Sequence, residues 1–273
     1  MEKQFPRTNV GGVELSRMII GTNPLLGWSH ISDSYNAAIK DHYNSPERFI
    51  PVLETYMKYG IDAIMAPFPI CSDLHKAVKM TEDKLGRGMV MVDTAFLNLE
   101  DTPEGRAEAR QAIRESAERG TKIFMIHNFC ARGLVNFKDF KLDRISDYTD
   151  MIREAGMVPA LGSHAPELVE MVDQHGYDFE SYLQLYNCHG FMMHYEVEKC
   201  AKTIHNAKKP VMTIKSMAAG RLTPYVGLTW AWKTLREQDM VTVGAFNVPE
   251  ADEDIEISFA ALENRFPNLP FNL

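Results

Sequence analysis

The sequence predicts a single (β/α)8 barrel opened by an N-terminal β-hairpin. Short buried apolar runs alternate with longer amphipathic stretches, the pattern of parallel β/α units. Eight such runs recur at a spacing of roughly 30 residues, about one strand-and-helix repeat. No linker or low-complexity tract divides the 273 residues, so one domain, 1–273, uses every element. A doubly wound sheet is the rival, but no G-x-G-x-x-G follows any strand.

Taken in order, Gly11-Gly12 separates two short runs and predicts the hairpin. The expected strands are Met18 to Gly21, Ala63 to Ala66, Met89 to Asp93, Ile123 to His127, Val158 to Gly162, Tyr182 to Tyr186, Val211 to Lys215 and Val241 to Gly244. Ser45-Pro46, Thr102-Pro103, Ala165-Pro166 and Val248-Pro249 place proline near a first helical turn, where its missing N–H costs nothing. Gly60, Gly86, Gly120, Gly156 and Gly176 sit just past helix ends, where a left-handed residue closes the last turn.

Composition narrows the class. With 45% hydrophobic and 24% charged residues, the chain has the material for a sizeable core. Its 29 basic and 37 acidic side chains give a net charge of −8 and no Lys/Arg cluster, which argues against nucleic acid as a partner. Cys71, Cys130, Cys188 and Cys200 show no CxxC or zinc-ribbon spacing and read as free thiols. The opening MEKQFPRTNV lacks the apolar core of a signal peptide, and no run is long enough to cross a bilayer. The expectation is a cytoplasmic enzyme acting on a small molecule, with no membrane partner. No feature specifies an oligomeric state.

In a barrel of this kind, chemistry sits at the C-terminal strand ends and the loops after them. Asn23 and a loop ending in His30 follow the first strand, and Asp93 and Thr94 end the third. His127 and Asn128 end the fourth, Ser163 and His164 follow the fifth, Asn187 and His189 the sixth, and Lys215 with Ser216 the seventh. Each has a plainer reading. His164 precedes Ala165-Pro166 and fits a helix cap as well as a catalytic imidazole. His127, in phase with Ile123 and Met125, faces either the mouth or a helix. Asp93, in phase with Met91, is costly to bury without a partner, which a histidine or Lys215 could supply. His30 fits a surface loop.

Alternation along VMTIK favours Val211, Thr213 and Lys215 facing inward. An inward lysine there is a Schiff-base nucleophile, an anion clamp or the partner of Asp93. The 16 methionines are scattered and read as core filler, and His75, His175, His194 and His205 as surface or capping residues.

Several segments in order resemble the aldo-keto reductase superfamily. VGGVELSRMIIGTNPLLG is similar to its hairpin and first strand, YGIDAIMAP to its second strand, and FMIHN to the strand carrying the active-site histidine. MIREAGMVPALGSHAPELVEMV, LQLYN, SMAAGRL and VTVGAFNVPEADEDIE follow in the family's order, so the resemblance spans nearly the whole chain. It implies a nicotinamide-dependent reductase with an aspartate, a tyrosine, a lysine and a histidine. Here Met65 stands at the aspartate position, Ile70 near the tyrosine, and Asp93 and Thr94 where the lysine belongs; Asp62 lies too early, and only His127 carries over.

The cofactor positions are also altered. The asparagine and glutamine that clamp the nicotinamide amide become His164 and Leu183. The stacking aromatic becomes Ile214, which the resemblance turns inward, against the alternation argument. Gly244 and Ser216 remain as cofactor-loop residues, but the segment after Gly244 carries five acidic residues and no lysine or arginine, a poor receptor for a 2′-phosphate.

The leading expectation is therefore acid/base chemistry on a small polar, sugar-like substrate: isomerisation, epimerisation or elimination beside a carbonyl. The catalytic set is His127, His164, Asp93 and Lys215, with Asn23, His30, Asn128 and Asn187 binding substrate. Asp93, His127 and His164 could instead hold a divalent metal. A divergent NAD(P)-dependent oxidoreductase is the alternative, and a non-catalytic barrel that binds a partner, as channel subunits do, is the third.

Overall fold

The computed structural model describes residues 3–269. Strands β1 (Arg7–Val10) and β2 (Val13–Ser16) pair antiparallel across Gly11-Gly12, as the sequence predicts. The barrel begins with β3 (Met18–Gly21), β4 (Ala63–Ala66), β5 (Val90–Asp93) and β6 (Ile123–Ile126). Past a small ribbon of β7 (Val135–Asn136) and β8 (Lys141–Leu142), it continues with β9 (Val158–Gly162), β10 (Ser181–Leu185), β11 (Val211–Ile214) and β12 (Met240–Val243). These eight strands run parallel, and β12 pairs back onto β3, so the barrel is closed.

The long stretch after β3 holds α1 (Asn23–Leu26), α2 (Asp33–His42) and α3 (Pro46–Lys58). The remaining helices are α4 (Ser72–Leu85), α5 (Pro103–Glu118), α6 (Asn128–Gly133), α7 (Ile145–Glu154), α8 (Pro166–His175), α9 (Val197–Asn206), α10 (Pro224–Thr234) and α11 (Val248–Leu262). The proline signals mark the starts of α3, α5 and α8. Helix α11 starts one residue before its proline because the Asn247 side chain caps it, accepting from Glu250 N at 2.9 Å. No helix among the described residues is long and apolar enough to cross a membrane, and the four cysteines are free.

Strand alternation divides the core. Ile19, Met65, Val92, Met125, Leu183 and Met212 fill the barrel interior, and Val10 and Leu15 of the hairpin join them. A Cβ on Gly11 would meet Val158 and Glu180, at the starts of β9 and β10, so the hairpin covers the N-terminal end. Outward residues pack beneath the helices in two further clusters. At the N-terminal end the buried Asp239 carboxylate accepts from Val211 N at 2.9 Å and pairs with Arg236 at 2.7 Å. Arg17 Nε donates to Asp239 O at 2.9 Å and Val241 N donates to Arg17 O, which ties β3, β11 and β12 together at their starts.

The opposite end closes by backbone contact. A Cβ on Gly244 would lie 2.7 Å from Pro24 Cδ and 2.8 Å from Gly21 O, so β12 and the loop after β3 approach as only glycine allows. Gly244→Ala should therefore lower unfolding stability by about 1–3 kcal/mol in urea denaturation, the usual cost of overpacking. An unchanged midpoint would show that the contact yields freely.

Candidate active site

A cavity of about 730 Å³ opens at the C-terminal strand ends. Its wall includes His127 after β6, His164 after β9 and Lys215 after β11, with Asn23, His30, Asn128, Ser216 and Gly244. The barrel thus gathers residues from Asn23 to Gly244, because every parallel strand delivers its C-terminal end to one face.

His127 leaves β6 to cap α6, and its Nδ1 accepts from Phe129 N at 3.2 Å. That bond selects the neutral tautomer with the proton on Nε2, leaving an N–H free to donate. The ring packs against Phe96, at 4.2 Å, and Phe129, at 5.2 Å between centroids. Burial lowers its pKa. His164 sits beside it because Asn128 Oδ1 accepts from His164 N at 2.9 Å. Asn128 is 5% exposed, and this bond makes it a positioning residue. Burial, reinforced by the neighbouring His127 and Lys215, pushes the His164 pKa down to about 4. His164 does not cap α8: Ala165 occupies that position, and Ser163 Oγ accepts from Ala165 N.

Lys215 reaches the cavity by a different route from the one alternation suggests. Met212 lies in the interior core with Ile214 packed against it, while Val211 belongs to an outer cluster and Thr213 donates its hydroxyl to Met240 O at 2.9 Å. The inward phase of β11 is thus the one implied by the family resemblance. Both faces of a parallel barrel strand are buried, so the alternation of VMTI carried no phase. At Lys215 the backbone turns to φ 67° and the strand register ends, which frees the side chain to enter the cavity wall. Burial lowers its pKa to about 8.

Two expected site residues lie elsewhere. Asp93 points away from the mouth, where it accepts from Ser116 Oγ at 2.5 Å and Phe68 N at 3.2 Å and faces Arg119 at 3.6 Å. It is fully buried, and desolvation raises its pKa despite these partners. A carboxylate in phase with the outer-cluster residue Met91 belongs to the helix side of the strand, so neither a catalytic role nor a bond to Lys215 follows. The proposed metal set of Asp93, His127 and His164 is therefore broken, and among the described residues no group of three or more His, Cys, Asp or Glu could hold a metal ion. Asn187 is also fully buried, its side chain accepting from Phe191 N and donating to Phe191 O. It shapes the loop after β10 and does not line the cavity.

The structure adds residues that were not singled out from the sequence. Arg221 and Trp28 line the cavity, as do Glu250, Glu253 and Asp254 of α11. Asp254 is 3% exposed, and burial with its acidic neighbours holds its pKa well above the carboxylate range. The acidic run after Gly244 was legible, but not its direction. At the positions that serve nicotinamide chemistry in the aldo-keto reductases, Met65, Thr94, Leu183 and Ile214 line the cavity with no proton donor or stacking ring. With three acidic side chains on the α11 wall as well, these residues do not fit a reductive NADP(H) site.

No protein-family model and no curated protein sequence matches the chain. Two solved structures from Pseudomonas aeruginosa, each provisionally assigned as an aldo-keto reductase, superpose with TM-scores of 0.67 and 0.65 at 13% and 14% identity, covering 96% of this chain and 98% of theirs. An aldose reductase from Giardia lamblia superposes at a TM-score of 0.56 and 11% identity, covering 98% of this chain and 90% of that one. The class is thus an aldo-keto-reductase-like (β/α)8 barrel. The likeness is one of fold.

Two stability measurements separate structural from site residues. Asp93→Ala should cost about 1–3 kcal/mol, because it leaves Phe68 N and the half-buried Arg119 without their partner and Ser116 with Thr121 alone. Lys215→Met should instead stabilise by roughly 1–3 kcal/mol at pH 7. The folded pKa of Lys215 is lowered from 10.5 to about 8, so the charged form opposes folding at full strength below pH 8. The gain should fade as pH rises from 8 to 10.5, and a loss of stability at pH 7 would contradict an unpaired lysine.

Proposed function

We propose that the chain is an enzyme that moves protons at carbon beside a carbonyl, on a small polar, sugar-like substrate. Isomerisation, epimerisation and elimination share that step. The observation that carries the reading is the meeting of two differently prepared imidazoles, His127 and His164, in one cavity. His164, with its pKa near 4, is a neutral imidazole at pH 7, with a ring lone pair available to accept a proton. His127, whose Nδ1 is occupied by Phe129 N, offers Nε2–H to a carbonyl oxygen. Lys215 places positive charge beside the developing enolate, and no metal is needed to stabilise it.

Reduction is the weaker reading, since Ile70 stands near the position of the family's tyrosine proton donor and Leu183 at one of its two amide-clamp positions. Titration with NAD(H) and NADP(H), followed through Trp28 in the cavity wall, addresses it separately. A partner-binding role without catalysis has less support, because it gives no reason for unpaired ionisable groups to line the mouth.

The direct test is proton exchange with solvent. Incubation in D2O with dihydroxyacetone, aldoses, ketoses and keto acids should label the carbon beside the carbonyl, read by NMR. His164→Ala should slow exchange about 10²–10⁴-fold, the usual contribution of a positioned acid or base. Hydride transfer from NADH to the same compounds without carbon labelling would overturn the proposal.

The pH profile of exchange should be a bell. Its acid limb falls as pH drops through about 4, where His164 takes up a proton, and its basic limb as pH rises through about 8, where Lys215 loses its charge. A limb near 6.5 that disappears in His164→Ala would show that the imidazole is not desolvated as described.

A further inference from the structure

The loop after β11 has an unusual backbone. Lys215, Ala218 and Ala219 adopt φ of 67°, 50° and 53°, a region that L side chains rarely enter, before Gly220 at 83°. Such a path persists only where the surroundings impose it. Its effect is to place Lys215 and Arg221, six positions apart, in the wall of the same cavity.

Arg221 is held there. Its guanidinium lies 3.9 Å from the centroid of the Phe191 ring, and its Nη1 donates to Ala218 O at 3.2 Å. The Phe191 loop is in turn fixed by the buried Asn187. His30, also at positive φ, joins the wall from the loop after β3. Its pKa is lowered by burial first, then by the charges of Lys215 and Arg221, which places both cations within electrostatic reach of it.

Among the described residues, no carboxylate forms an ion pair with Lys215 or Arg221. The acidic residues in the cavity wall, Glu250, Glu253 and Asp254, stand on α11, and Glu250 is occupied in capping that helix by accepting from Phe246 N. Arg221 and His30 reach the cavity rim exposed to solvent, whereas Lys215 is half-buried, and an ammonium desolvated without a counter-charge is unfavourable unless a ligand supplies one. Planar guanidinium and ammonium together suit carboxylate and phosphate oxygens.

We propose that Lys215, Arg221 and His30 form an anion subsite, so that the substrate is a small organic acid or phosphate ester whose anionic group is held there while its carbonyl lies before His127 and His164. This rests on the proton-transfer reading of the same cavity, which it narrows to a substrate class. A neutral sugar would bind poorly.

Calorimetric titration of the full chain with inorganic phosphate, gluconate and neutral sorbitol tests the subsite without knowledge of the substrate. Phosphate, gluconate or both should bind, with affinity falling as sodium chloride is added, and sorbitol should not bind at the same concentrations. Binding of one anion alone would identify the group, phosphate or carboxylate. Lys215→Ala and Arg221→Ala should each weaken anion binding at least tenfold while the thermal transition stays cooperative, and Lys215→Arg should restore most of it.

Anions binding no better than sorbitol, or binding unchanged in both alanine variants, would overturn the subsite. Its failure is distinguishable from that of the reaction. Absent anion binding with labelling of neutral dihydroxyacetone intact would remove the substrate class alone. Anion binding with no labelled carbonyl compound would keep the subsite and remove the chemistry.

Discussion

The mouth of the barrel depends on one close approach, that of β9 to the end of β6 at Gly162. A Cβ on Gly162 would lie 2.5 Å from Ile126 O and 3.0 Å from Asn128 N, so any other residue would push the two strand ends apart. That contact sets Asn128 where its side chain accepts from His164 N, and it sets His127 beside His164. The same device acts at Gly244 against Gly21 and Pro24, where the barrel closes. Backbone contact at these points keeps the strand ends tight enough for side chains from separate strands to share one cavity.

The electrostatics of that cavity oppose those of the rest of the protein. Elsewhere buried charge is partnered: Asp239 with Arg236 and two backbone donors, Asp93 with Ser116, Phe68 N and Arg119. At the mouth, His164 and Lys215 lose solvation and gain no counter-charge, so burial shifts both toward their neutral forms. Unpaired groups in a cavity lower stability, and such groups are characteristic of a surface prepared for a ligand. The proton-transfer reading and the anion subsite both follow from this imbalance.

Much of the fold was legible in the sequence, and the limits of legibility have a physical pattern. All eight strands were readable because short, mostly apolar runs between turn signals can be buried on both faces. For the same reason their phase was not readable: Asp93 and Thr213 lie on the helix side, and nothing local distinguishes that side from the barrel interior. His127 and His164 were found because position at a strand end locates the active face whatever the phase. Asn187 resembled a substrate ligand until its loop brought Phe191 back onto its side chain. Arg221 was passed over because its place in the wall depends on the backbone turn from Lys215 to Gly220.

By itself, the sequence determined the (β/α)8 class and the order of its elements. These are properties of local pattern, propensity and spacing along the chain. Only the tertiary structure decided that Asp93 belongs to the scaffold, that Lys215 enters the cavity through a left-handed turn, and that Arg221 and His30 join it there. Direction and charge environment depend on which distant segments meet, and in this barrel those meetings are governed by strand closure and by the backbone of one loop.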